Sequence, residues 1–546
     1  MTKHYDTAII GSGQAAPALS VALAKRGESV ALIEGAELGG TCVNAGCTPT
    51  KTLRKSARVA HMARRAGDFG VQTGEVTVDF SAAMARMRAR VETARGGLTA
   101  WLKRTKDVDV IKGWGAFQGR DGDKFVLSAG EVRLSADKVY INTGTRAFTP
   151  PMRGLDTVAH LDNVGLLALT KLPRHLIIVG GSYIGLEMGQ IFRRLGAQVT
   201  IINSAPRLAM REDADVSRII QGFMDDEGVT VVNNATIAKV EPAREGVTLI
   251  LTDGFSFQGS HLLFATGRSA NSETLNLSTV GVETDERGFI RTNAQLQTNV
   301  PGIWALGDIN ARGAFTHTSY HDHEIVLANS DENAGPLHQW KDADQRPTTY
   351  AMYTDPPLGR VGMSLAEAQQ AANEGRSILT ADVAMADISR AKEEGETTGL
   401  IRLIVDAESE QFLGATVFGI AGDEIIAVLS NYMATGSSHR FMQQALPVHP
   451  TVAELLPTIL SGLKPLAAKW AGPLRYLAKY VATKHATIYP RWKSVALFAG
   501  CPIAHVLWRS SRIQRMSCPD QPTSPQMMLS RGQPLRRWRS PNQPMM

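Results

Sequence analysis

Cysteine is scarce in this chain, with four in 546 residues. So few thiols exclude a disulfide-stapled secreted scaffold and point to a reducing compartment, so a cytoplasmic location is expected. Aromatic residues make up only 6%. No run of about 18 apolar residues occurs, so no membrane-spanning helix is expected. The start, Met1-Thr2-Lys3-His4-Tyr5-Asp6, runs directly into a strand pattern without signal-peptide features. The body also lacks an excess of positive charge. The formal net charge of +6 arises in residues 467–546, where thirteen Lys or Arg face Asp520 alone. The rest is mildly acidic, and nucleic acid is not an expected partner.

Glycine, by contrast, is plentiful at fifty residues, enough for several nucleotide-binding turns. The apolar strand Thr7-Ala8-Ile9-Ile10 meets Gly11-Ser12-Gly13-Gln14-Ala15-Ala16, followed by an Ala-rich helical pattern and a second strand, Val30–Ile33, ending on Glu34. This is a βαβ unit with a GxGxxA turn. Gly11 turns the chain, Gly13 lets backbone approach a pyrophosphate, and Ala16 permits close helix–strand packing. Glu34 is placed to accept ribose hydroxyls. A second unit runs from Leu176–Val179 through Gly180-Gly181-Ser182-Tyr183-Ile184-Gly185-Leu186-Glu187 to a strand over Val199–Ile202. Ser182 stands where the middle motif glycine is expected. This strand ends on Asn203, which offers no carboxylate to a free 2′-hydroxyl, while Arg207 and Arg211 follow as candidates for a 2′-phosphate. NADPH is therefore the expected electron donor, with NADH the alternative.

Two of the cysteines, Cys42 and Cys47, lie inside Gly39-Gly40-Thr41-Cys42-Val43-Asn44-Ala45-Gly46-Cys47-Thr48-Pro49-Thr50-Lys51. No second Cys or His cluster follows at a distance suited to zinc, and no metal site is expected. A close pair suits a disulfide that opens and closes, against the plainer reading of two buried structural cysteines. A helix expected over 51–66 places Cys47 near its start, where a thiolate is stabilised. Lys51, four residues on, fits a role beside the redox centre. Far along the chain, His449 precedes Glu454 by five residues, so the carboxylate can fix the ring's tautomer for acid–base work.

The stretch from Glu34 through Cys47 to Lys51 resembles the class I flavoprotein disulfide reductases (glutathione reductase, dihydrolipoamide dehydrogenase, mercuric reductase), and is closest in wording to mercuric reductase-like members. Ala265-Thr266-Gly267-Arg268 and the run from Thr298 to Gly307-Asp308 extend the resemblance. It implies an α/β fold of two Rossmann-like domains plus an α+β dimerisation domain. The expected division is FAD-binding over 1–150, NAD(P)-binding over 151–270, a returning FAD segment over 271–342, dimerisation over 343–466 and a C-terminal extension over 467–546. FAD would be contacted by Gly40, Thr41, Thr143, Gly144, Gly267, Arg268, Gly307 and Asp308, the last at the ribityl chain. The nicotinamide nucleotide would lie on Gly180, Ser182 and Gly185, with Tyr183 as the lid and Glu187 paired with Lys51. Cys47 would be the flavin-side thiol and Cys42 the thiol that attacks substrate. His449 and Glu454 would reach the disulfide of a second subunit, making the enzyme a homodimer.

The expected function is an NAD(P)H oxidoreductase passing electrons through Cys42 and Cys47 to a disulfide or similar small thiol-reactive substrate. A soft-metal-ion reductase is the first alternative. The retained His449, and the 17-residue separation of Cys501 and Cys518 where mercuric reductases carry adjacent cysteines, count against it. Dihydrolipoamide dehydrogenase is a further alternative, disfavoured by Asn203. A non-catalytic flavoprotein binding membrane or nucleic acid through its tail is disfavoured by the intact cysteine pair. The stretch from Trp470 to Tyr489 has the make-up of a basic amphipathic helix for a membrane surface, and the composition from Cys518 onward is that of disorder. An incidental extension is the simpler reading.

Overall fold

The strand Lys3–Ile10 is exposed at its first residues and buried through its last four, as a central parallel strand must be. In this computed structural model, which describes residues 2–330 and 342–467, it pairs in parallel with Val30–Glu34 on one side and Val132–Ile141 on the other. Val108–Lys112 extends one edge, and Lys124–Ala129 and Gly115–Asp121 fold back antiparallel at the other. A seventh strand, Ile303–Ala305, returns to this sheet from beyond the second nucleotide unit, pairing Ile303 with Val139. The Trp304 and Tyr140 rings stack there at 4.9 Å between centroids, which fixes the register of a strand only three residues long.

The second unit forms a parallel four-stranded sheet in the order Thr230–Val232, Gln198–Ile202, His175–Val179, His261–Phe264. A three-stranded antiparallel meander, Ile237–Ala243, Gly246–Leu251 and Ser256–Gly259, accompanies it. The last region is a six-stranded antiparallel sheet whose strand Leu400–Asp406 is buried at every residue. The helix Gly422–Thr435 buries Ile425, Ile426 and Leu429 in the same core. The features expected of the tail (the amphipathic stretch, the disordered end, Cys501 and Cys518) lie outside the described residues. No helix among the described residues is long and apolar enough to cross a membrane.

Two helices from different regions grip one short segment of the third. The helix Cys47–Arg64 carries Lys51, Arg54 and Arg58 on one face, and the helix Tyr183–Leu195 carries Glu187, Gln190 and Arg194. Spacings of three and four residues align each set. Both sets close on Tyr353, Thr354 and Asp355. The Arg54 guanidinium donates to the Thr354 carbonyl at 2.8 Å, and Arg58 and Arg194 both pair with the Asp355 carboxylate. Gln190 makes two bonds of 2.8 Å to the Asp355 main chain, donating to its carbonyl and accepting from its N–H. Glu227 takes the remaining Arg194 donors at 2.7 and 2.8 Å.

Burial pushes the Asp355 carboxyl up, but Arg194, Arg58 and Arg54 outweigh it and hold the group below the usual carboxylate range. Its stabilising contribution is therefore present at neutral pH and is lost as the pH falls through that depressed value. Asp355→Asn leaves a buried arginine undercompensated and should cost about 3 kcal/mol. Thermal unfolding followed from pH 7 down to pH 3 should show the variant melting lower at pH 7 and the gap closing in acid.

Candidate active site

One cavity of about 1250 Å³ runs along the C-terminal edge of the first sheet and is lined by the glycine turn, Glu34, both cysteines, Lys51, Tyr183, Glu187 and Asp308. Its shape follows from the turn. Gly11 has φ +89°, and a Cβ there would lie 2.6 Å from the Asn142 carbonyl oxygen; at Gly13 a Cβ would lie 2.5 Å from Asn142 Oδ1. Only glycine lets the chain pass so close to Asn142. Asn142 in turn accepts from the Ala16 N–H at 3.3 Å, at the head of helix Ala16–Lys25, and donates to the Leu306 carbonyl at 2.6 Å. It thereby ties the turn to the returning strand. Glu34 is fixed at one end of the cavity, accepting from the Ser12 N–H at 2.9 Å and hydroxyl at 2.6 Å and from the Ala36 N–H at 2.7 Å.

Gly40, Thr41, Thr143 and Gly144 line the same cavity, as does Arg268. Arg268 donates to the Thr145 hydroxyl and stands 3.6 Å from Asp308, which accepts from that hydroxyl at 2.9 Å. Gly307, at φ +72°, is held by its N–H donating 2.7 Å to the buried Asp322 carboxylate. Gly267 has φ +131° beside this group. An elongated cradle with a carboxylate at one end, a helix N-terminus and glycine amides along its length, and thiols at the other end fits FAD.

The cysteine segment is more helical than the sequence suggests. Gly40–Asn44 forms a short helix containing Cys42, and the next helix begins at Cys47, a turn before Lys51, because Pro49 is tolerated in a first turn. The Cys47 Sγ lies 3.1 Å from the Thr316 hydroxyl. A hydrogen bond from Cys42 is the largest influence on Cys47; burial opposes it, and Thr316 and Lys51 reinforce it, leaving the thiol lowered to about 6. The same bond, with burial, pushes the Cys42 thiol up. Lys51 donates to Glu187 Oε2 at 2.8 Å, and Glu187, only 7% exposed, also accepts from the Tyr353 N–H at 2.8 Å. The Lys51 ammonium sits 4.3 Å from the centre of the Tyr353 ring. Tyr183 leans on Phe315, with ring centroids 6.1 Å apart.

At the second turn, Gly180 has φ +117°, and a Cβ on Gly185 would lie 2.0 Å from the Gly180 carbonyl oxygen. Ser182 stands at the N-terminal boundary of the helix Tyr183–Leu195, makes no side-chain hydrogen bond to it and is exposed. Arg207 does not reach outward as the sequence suggests. Its guanidinium donates to the Glu212 and Met210 carbonyls and the Ser217 hydroxyl, bracing its own loop, which leaves Arg211 exposed. Asn203 likewise spends its amide on Ala205, Arg207 and Asn233.

His449 and Glu454 are not brought to the thiols within this chain. They meet each other, Nδ1 to Oε2 at 2.9 Å, with the His449 side chain 80% exposed. Residues missed by sequence reasoning are Thr316, Asp322 and Tyr353. The first two stand eight and fourteen positions after Asp308 with no motif around them. Tyr353 acts through its ring and its main-chain N–H, for which the sequence carries no signal.

Comparison with known proteins agrees with this geometry. A family described as pyridine nucleotide-disulphide oxidoreductase matches residues 5–323, and its dimerisation domain matches residues 348–459. Among curated relatives, the probable pyridine nucleotide-disulfide oxidoreductase RclA of Escherichia coli is 32% identical, covering 84% of this chain and 99% of the relative. Mercuric reductase of Lysinibacillus sphaericus is 30% identical, covering 83% of this chain and 81% of the relative. Dihydrolipoyl dehydrogenase 3 of Pseudomonas putida is 31% identical, over 83% and 97% respectively. A solved structure described as the Cu(II) complex of HOCl-induced flavoprotein disulfide reductase RclA from Escherichia coli superposes with a TM-score of 0.76 at 31% identity, covering 85% of this chain and all of that one.

Cys47 should react as a thiolate above pH 6 and lose about tenfold in rate for each unit below it. Alkylation of the reduced protein, mapped by mass spectrometry, should show this midpoint. Lys51→Met should move it upward by about one unit.

Proposed function

We propose, for a chain that belongs to the pyridine nucleotide-disulphide oxidoreductase family and is an FAD-dependent, NAD(P)H-consuming oxidoreductase, that Cys42 and Cys47 are the dithiol through which electrons leave the protein. The observation that carries this reading is geometric: both thiols line the same cavity as the glycine turn and Glu34, with the Glu187-paired Lys51 in that cavity and the Thr316 hydroxyl 3.1 Å from the Cys47 sulfur. FAD, held by the Gly11–Gly13 turn, Glu34 and Asp308, would supply the two-electron chemistry between the nicotinamide and the Cys42–Cys47 disulfide.

The chain's own residues then divide the work. Cys47, with Lys51 and Thr316 about it, stays ionised and holds its charge against the Cys42 thiol. Cys42 needs a base before it can attack, and the partner subunit's His449, oriented by Glu454, serves as that base. With a disulfide substrate, Cys42 sulfur forms a bond to one substrate sulfur as the substrate S–S bond breaks, and His449 returns the proton to the departing thiolate. Cys47 next attacks Cys42, expels the second thiolate and restores the protein disulfide. The family's dimerisation domain supports the homodimer; the sharing of each site between subunits is part of this proposal.

The His449–Glu454 pair favours a disulfide, because proton delivery to a thiolate is what that exchange requires. The Cu(II) complex of RclA and the mercuric reductase relatives favour a second acceptor class, a soft metal ion. NADPH is preferred as donor, resting on Asn203 and the exposed Arg211.

Cys42→Ser should abolish acceptor turnover while anaerobic bleaching by NADPH survives; loss of both would sink the assignment. His449→Gln should slow a disulfide acceptor by about 10² to 10⁴-fold, assayed as NADPH oxidation across glutathione disulfide, lipoamide, Hg(II) with thiol and Cu(II). Turnover of a metal that ignores His449 would establish the second reading. Arg211→Ala should raise KM for NADPH about tenfold and leave that for NADH in place.

A further inference from the structure

The redox helix meets a side chain that no motif predicts. Tyr353 comes from the end of the first strand of the antiparallel sheet, and its ring faces the Lys51 ammonium at 4.3 Å. Its N–H holds Glu187, the carboxylate partner of that same lysine, at 2.8 Å. Lys51 is thus bounded on one side by a carboxylate and on another by an aromatic face. A flexible four-carbon stem that is one-third exposed would otherwise sample several positions around Glu187. Burial pushes the Tyr353 phenol up, so the ring is uncharged and presents the electron-rich face that attracts a cation. The charged and titratable groups around this pair are Cys42, Cys47 and Glu187, with Asp423 and Glu424 at the head of helix Gly422–Thr435 within electrostatic reach of the phenol. The Thr316 hydroxyl also meets Cys47, 3.1 Å from its sulfur.

We propose that Tyr353 is a positioning residue that fixes the Lys51 ammonium beside the thiols and thereby raises the reduction potential of the Cys42–Cys47 disulfide. The inference rests on those cysteines being the redox pair. The physical basis is that a disulfide is uncharged whereas its reduced form holds a thiolate on Cys47. A cation held in place stabilises only the reduced form. A lysine free to swing away stabilises it less, and the disulfide becomes harder to reduce. The effect belongs to the ring and not to the hydroxyl, because it is the ring face that meets the ammonium. It is also separable from the fold, since the bond to Glu187 is made by the main chain and survives any side chain at this position.

The test equilibrates the full-length holoenzyme with buffers of reduced and oxidised dithiothreitol, traps free thiols by alkylation and reads the Cys42–Cys47 peptides by mass. Reduction consumes one dithiol and yields one cyclic disulfide, so atoms and electrons balance. Tyr353→Phe should keep the wild-type midpoint. Tyr353→Leu and Tyr353→Met should each need about a tenfold higher ratio of reduced to oxidised dithiothreitol, equivalent to about 30 mV. In a Lys51→Met background neither should shift the midpoint further. Tyr353→Met fills the space with a flexible side chain, so the proposal stays testable where the leucine variant folds poorly. An unchanged midpoint in both variants, a shift in Tyr353→Phe as large as in the others, or a shift that persists without Lys51 overturns the proposal. Failure of the wild-type pair to form a disulfide at any ratio overturns instead the assignment of the redox pair.

Discussion

Asp355 is a carboxylate taken out of water and answered by arginines from two helices that belong to different parts of the chain. Burying such a cluster is costly, and it persists only where every charge is met. Here the charges are met by geometry. The Cys47–Arg64 helix brings Arg54 and Arg58 from one side, the Tyr183–Leu195 helix brings Gln190 and Arg194 from the other, and the segment from Tyr353 to Asp355 lies between them. A slip of either helix by one residue would rotate these side chains away from their partners. The grip therefore fixes the redox helix relative to both the nicotinamide unit and the antiparallel sheet. Lys51 and Glu187 form the rung of the same ladder that faces the cavity, so the structural clamp and the site share one set of helix faces.

That continuity bears on how a thiol near a helix start becomes acidic. The helix beginning at Cys47 offers a favourable end for negative charge, worth a fraction of a kcal/mol where exposed. The stronger influences come from side chains around the sulfur: Cys42 from the short helix Gly40–Asn44, Thr316 from the head of helix Thr316–Asn329, and Lys51, whose ammonium faces the Tyr353 ring. Cys42 and Lys51 belong to the cysteine motif itself, and Thr316 is the group that the fold brings to it from far along the chain.

Much of this was legible in the sequence, and what was not has a common cause. Both nucleotide turns could be read because glycine is demanded locally, by a positive φ at Gly11 and by the near contact of Gly185 with Gly180. The Lys51–Glu187 contact was foreseeable from a Glu in an apolar helix that needs a partner once buried. Thr316, Asp322 and Tyr353 escaped because each acts across more than a hundred residues of sequence or through a main-chain group, and neither leaves a pattern. The outward role suggested for Arg207 failed for a related reason. A guanidinium near a strand end can face a ligand or its own loop, and only the carbonyls of Met210 and Glu212, seen in place, decide between them. The helix begins at Cys47, a turn before the expected start at Lys51, and Pro49 fits inside it because a first turn has no need of its N–H.

Two histidines, His317 and His321, line the cavity, and burial holds both rings below their ordinary range. The His317 Nε2 lies 2.6 Å from the Thr349 carbonyl. A ring so engaged is neutral and tethered, a poor carrier for a proton that must move between Cys42 and a departing thiolate. His449 is arranged the other way. Glu454 engages Nδ1, which leaves Nε2 open on a side chain that is 80% exposed, and the carboxylate fixes the orientation of the ring. This imidazole is set out on the surface of its own subunit and away from its own thiols. It lies within the dimerisation domain, and under the proposed sharing of sites association would place the base as well as bury surface.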